Sequence, residues 1–114
     1  MEKNLNTTID FEFYDGTTVK MTLFFYALYQ LRSKNKTLYD RYNKIMTNQA
    51  KGNYDELEMI TLLYVAYVCA NLDEENIMTE EEFMMKCGSD REAVGKAAKE
   101  LTSPKKPKAS EKHS

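Results

Sequence analysis

Residues 9–32 read IDFEFYDGTTVKMTLFFYALYQLR, and this stretch decides the fold. Ile9, Phe11 and Phe13 alternate with Asp10, Glu12 and Tyr14, the period of a half-buried strand. Asp15-Gly16 turns the chain back. A two-residue Asp-Gly loop would set Phe11 against Lys20 and mix the two faces. A three-residue loop, Tyr14-Asp15-Gly16 with Gly16 left-handed, sets Phe11 against Val19, Ile9 against Met21 and Asp10 against Lys20. Register follows the apolar pattern, so the three-residue loop is expected, in a hairpin spanning 8–21. A lone hairpin is marginal in water, so its apolar face must rest on helices or on another chain.

Working outward, Thr22 is placed to cap a helix over 23–32. Its inner stripe is Leu23, Phe24, Ala27, Leu28 and Leu31, with Phe25 and Tyr29 on a flank. A second helix over 37–47 carries Leu38, Tyr42, Ile45 and Met46 at helical spacing, with Asp40, Arg41 and Lys44 outside. Asn53 with Glu56 reads as a capping box for a central helix over 54–70, apolar nearly all round from Met59. Thr79 with Glu82 caps a helix over 79–87, with Met78 and Phe83 placed as a hydrophobic staple. Ser89 with Glu92 opens a last helix over 90–101, burying Ala93, Val94, Ala97 and Leu101. The fold class expected is α+β, mostly α: an N-terminal hairpin on a bundle of five helices, one domain over 1–101. Residues 102–114, with two prolines, four lysines and no large apolar group, are expected to be a disordered tail.

Composition narrows the function. The chain has 114 residues, with eight Tyr, five Phe and seven Met but no Trp. Met-rich and aromatic surfaces adapt to varied partners. Net charge is −2, yet residues 102–114 carry four Lys and one Glu, leaving 12 basic and 17 acidic side chains before them. An acidic body repels phosphate backbones, so no nucleic-acid ligand is expected. The apolar run Ile60–Ala70 has 11 residues, short of the ~20 that span a bilayer. MEKNLNTT at the start lacks the apolar core of a signal peptide.

Catalysis has no footing in these residues, and neither a cofactor nor a metal is expected. The single histidine, His113, falls in the expected tail. Cys69 and Cys87 lie 18 residues apart without a CxxC pair, as buried reduced thiols do. DEENIMTEEEF, from Asp73, invites a calcium-loop reading, but its fifth and sixth positions are Ile77 and Met78, where a ligand and a glycine are required. The last two helices, joined through KCGSD, have the layout of a helix-turn-helix. Arg91, Lys96 and Lys99 are there opposed by Asp90, Glu92 and Glu100. The best-specified sequence is apolar surface, which points to holding another protein.

Three features together resemble tail assembly chaperones of long-tailed bacteriophages, over residues 9–100. They are the hairpin feeding a helix of form F-x-x-L-x-x-L (Phe25, Leu28, Leu31), the segment LLYVAYVCAN (Leu62–Asn71), and MTEEEF (Met78–Phe83) after an acidic linker. The resemblance implies a protein of the host cytoplasm, absent from the mature virion. It would bind the tape measure protein, a long apolar helical chain, and help recruit tail tube subunits. Candidate contact residues for such a partner are Phe11, Phe13, Phe25, Tyr26 and Tyr29, with intramolecular core the alternative for all five, and either strand could pair edge to edge with a second copy to give a homo-oligomer. It also implies a longer frameshifted product, with a slippery heptamer at the codons for Lys105-Lys106. Two other readings fit the residues: a small helical adaptor or regulator of mobile-element origin, and a DNA-binding regulator.

Overall fold

The computed structural model describes residues 8–53 and 55–103. Two antiparallel strands, β1 (Thr8–Glu12) and β2 (Thr18–Thr22), form the hairpin. The register is the one the apolar pattern requires: Ile9 faces Met21, Asp10 faces Lys20 and Phe11 faces Val19. The amide of Phe13 donates to the carbonyl of Thr17 at 2.7 Å, and Gly16 adopts φ +90°, closing the three-residue loop. Asp15 braces it by accepting from the Thr17 amide at 3.0 Å and hydroxyl at 2.7 Å. On the outer face Lys20 and Asp10 pair at 2.8 Å, and on the inner face Phe11, Phe13 and Met21 are buried.

Five helices follow: α1 (Phe25–Lys34), α2 (Lys36–Ala50), α3 (Glu56–Ala70), α4 (Glu80–Cys87) and α5 (Arg91–Thr102). Each start falls within two residues of the expected one, and three caps differ from the sequence reading. The strand ladder runs to the pair Thr8–Thr22, which holds Thr22 extended. Its hydroxyl accepts from the Phe24 amide at 3.4 Å, and α1 begins two residues later than expected. α3 is capped by Asp55, which accepts from the Leu57 amide at 2.9 Å, rather than by Asn53. α5 is capped by Asp90, which accepts from the Ala93 amide at 3.1 Å, rather than by Ser89. In both cases a carboxylate one or two residues nearer the helix takes the exposed amides and adds favourable charge at the positive end. α4 keeps the expected box: Thr79 accepts from the Glu82 amide, and the Glu82 side chain accepts from the Thr79 amide. α2 runs to Ala50, past the expected end, and stops where Gly52 takes φ +83°. Tyr54, expected within the central helix, and the segment from Pro104, expected as a tail, lie outside the described residues.

α3 is the axis of the molecule, packing against β2 and all four other helices. Its apolar girdle is covered on nearly every side, with Leu62, Leu63, Val65 and Ala66 fully buried and Ile60 and Tyr64 half-buried. At the hairpin end the core becomes aromatic. Phe83 is fully buried and touches Phe13 at 5.3 Å between ring centroids, with Tyr64 and Tyr67 each at 5.5 Å. The two tyrosines also clamp one residue of the preceding linker. The Tyr64 hydroxyl donates to the Met78 carbonyl, and the Met78 amide donates to the Tyr67 oxygen, both at 2.9 Å. That clamp fixes the linker entering α4. No helix among the described residues is long and apolar enough to cross a membrane.

Candidate protein-binding surfaces

The structure divides the five sequence-derived contact residues. Phe11 and Phe13 are buried, stacked edge-on at 5.6 Å and packed under the hairpin, so they are core of this chain. Phe25, Tyr26 and Tyr29 stand on the opposite side of α1 from its buried Ala27, Leu28 and Leu31. Phe25 is 88% exposed, Tyr26 60% and Tyr29 56%. At roughly 200 Å² per aromatic side chain, these three alone present on the order of 400 Å² of ring surface. That matches the largest apolar patch of a typical soluble monomer, which is often a functional surface.

The patch continues onto α2 through contacts that sequence reasoning missed. Tyr26 stacks on Tyr29 at 6.0 Å. The Arg32 guanidinium lies 5.7 Å from the Tyr29 ring and 5.8 Å from the Tyr39 ring, joining the two helices by cation–π contact. Tyr39 in turn meets Tyr42 at 6.0 Å. Burial raises the Tyr42 phenol above its ordinary range, placing that ring at the inner end of the strip. The result is an aromatic ladder from Tyr26 to Tyr42 with one cation in its middle, and the exposed Phe25 stands at the start of the same helix. The spacing Tyr29–Arg32 and Tyr39–Tyr42, three residues in each case, was the available signal.

A second apolar region lies around the α4–α5 turn. Leu57 (61% exposed) lines a groove of about 130 Å³ with Ile60, Val94 and Gly88. Tyr14 and Met85 stand exposed nearby: the Tyr14 ring lies against Gly88, whose amide bonds to the Met85 carbonyl. A third groove, of about 430 Å³, separates β1 from α5.

The charged side chains serve the fold. Arg41 reaches Glu80 with both guanidinium nitrogens, at 2.7 and 2.9 Å, and the Thr61 hydroxyl donates to the same carboxylate at 2.9 Å. This network ties α2, α3 and α4 together, and the Arg41 bonds hold the Glu80 carboxyl below its ordinary range against the opposing effect of burial. Arg91 pairs with Glu56, across α5 and α3. Burial pushes the Cys69 thiol up to about 12 and the Cys87 thiol up to about 11, so neither is a thiolate nucleophile at neutral pH. Among the described residues, no group of three or more His, Cys, Asp and Glu side chains is placed to hold a metal ion. His113 and Lys105-Lys106 lie outside the described residues.

In comparisons with known proteins, no family model, curated protein or solved structure matches this chain.

Proposed function

We propose that this chain is a tail assembly chaperone of long-tailed bacteriophages, which binds the tape measure protein and keeps it soluble while tail tube subunits are recruited. The observation that carries the reading is the exposed aromatic strip of Phe25, Tyr26 and Tyr29 on α1, continued through Arg32 to the half-buried Tyr39. The rings of Phe25, Tyr26 and Tyr29 are not needed to close the core beneath α1, which Ala27, Leu28 and Leu31 already fill. A long apolar helix offers repeating stripes of side chains, and a broad aromatic strip receives such stripes through ring faces without demanding one sequence. Arg32 at its centre adds a contact for acidic residues flanking those stripes.

A DNA-binding reading fits the surface less well. The exposed side of α5 mixes Arg91, Lys96 and Lys99 with Glu92 and Glu100, and Arg91 is already paired. The test is co-expression with a tape measure protein from the same gene neighbourhood. The expected result is that the tape measure protein becomes soluble and co-purifies, and that charge reversal on the ladder abolishes both. Failure of rescue, together with capture of unrelated amphipathic helices, would replace this reading with a general helical adaptor.

A further inference from the structure

The hairpin has an open edge. In its ladder the backbone groups of Ile9, Phe11 and Phe13 point at β2, as the Phe13–Thr17 bond requires, so those of Asp10 and Glu12 point away from it. At the turn end the edge is closed, because the Tyr14 amide donates to the Lys86 carbonyl at 3.1 Å. Between that closure and Thr8, the amides and carbonyls of Asp10 and Glu12 meet no backbone partner among the described residues.

Beside this edge runs the 430 Å³ groove. Its far wall is α5, where Ala93 and Ala97 are small enough to leave room for side chains of an added strand. Phe11 supplies apolar floor from the hairpin. The rim is acidic: Glu12, Asp90, Glu100 and Asp10, the last already paired with Lys20 at 2.8 Å, surround it, with Lys96 the cation among its lining residues. A second copy of the chain is a poor occupant. Antiparallel pairing of β1 with β1 in phase would set Asp10 and Glu12 against their own counterparts, and like charges directly opposite destabilise a ladder.

We infer that this groove takes an extended, basic segment of a partner polypeptide as a third strand. Its backbone bonds to Asp10 and Glu12. Its lysine or arginine side chains lie beside those two carboxylates on the outer face, and the alternate, apolar side chains turn inward over Ala93 and Ala97. The site is distinct from the aromatic ladder and does not depend on the chaperone reading.

The full chain, labelled with nitrogen-15, is titrated at low salt with a blocked Lys-Val-Lys-Val-Lys peptide. Expected are shift changes centred on residues 9–13 and on Ala93 and Ala97. Amide exchange at Asp10 and Glu12 should slow by about tenfold or more at saturation. The same peptide N-methylated on the amides that face β1 keeps its charge and should lose the effect. Glu12→Lys should weaken binding by about fivefold or more, and Phe25→Glu should leave it intact. Four results would overturn the proposal: no response at millimolar peptide, equal binding of the N-methylated peptide, changes located elsewhere, or concentration-dependent dimers that protect these amides without peptide.

Discussion

Phe25→Glu separates surface from core more sharply than any other single change in this chain. Phe25 is the first residue of α1 and is 88% exposed, so little burial is lost when the ring is removed. Full burial of a Phe side chain is worth about 1.5–3 kcal/mol, so the remaining covered fraction accounts for a few tenths at most. The first turn of α1 carries no acid, and a carboxylate there gains about 0.3–1 kcal/mol from the helix N-terminus. The variant should therefore match the parent or exceed it by up to about 0.5–1 kcal/mol. That corresponds to a melting temperature raised by up to roughly 5 °C. Binding should move the other way. Losing a Phe that a helical partner would desolvate, and bringing a charge to that contact, should weaken affinity by about 10–100-fold. Urea denaturation followed by circular dichroism gives the first quantity, and calorimetric titration with a tape measure helix gives the second. Destabilisation of about 2 kcal/mol or more would refute the reasoning, because it would place the ring inside the fold. Undiminished partner binding by a stable Phe25→Glu variant would refute the role of the ladder.

Phe83→Ala empties the centre of the aromatic cluster and should cost about 3–5 kcal/mol in urea denaturation; a loss under about 1 kcal/mol would mean that Phe13, Tyr64 and Tyr67 do not depend on it. Tyr67→Phe removes the acceptor of the Met78 amide and should cost about 1–2 kcal/mol with the helices retained. Acid should destabilise the fold through two carboxylates. Glu80 is held low by Arg41, and Asp15 is held down to about 2 by the Thr17 hydroxyl and amide. Because the unfolded chain takes up these protons first, the stabilisation is full above the ordinary carboxylate range and is lost as pH falls through about 4 toward 2. Glu80→Gln with Asp15→Asn should flatten the melting temperature over that range, and an unchanged slope would sink the assignment. Cys69 and Cys87, both buried, should react with a thiol reagent at pH 8 only as fast as the core opens, so that mild urea accelerates both together.

Features fixed by neighbouring residues were legible in the sequence. The hairpin register follows from which side chains are apolar, and the Thr79–Glu82 box from two side chains three residues apart. The outward position of Phe25 and Tyr29 follows from the helical period of Leu28 and Leu31. Helix starts were less legible where two capping residues competed. Asp55 and Asp90 displaced Asn53 and Ser89, and a ladder one pair longer than expected delayed α1. The candidate surfaces were half legible. Phe11 and Phe13 share the aromatic character of Phe25, and sequence character alone does not distinguish a ring covered by its own helices from one left for a partner.

From the sequence by itself come the hairpin, the order of the five helices and the all-round apolar α3 that must be central. These are consequences of period, turn chemistry and capping, which act within a few residues. Only the tertiary structure decided that Arg32 bridges Tyr29 and Tyr39, that Arg41 meets Glu80 39 residues away, and that α5 leaves a groove beside β1. Those depend on where packed helices finally sit against one another, and that is set by the fit of the whole core around Phe83 and α3, which no local pattern encodes.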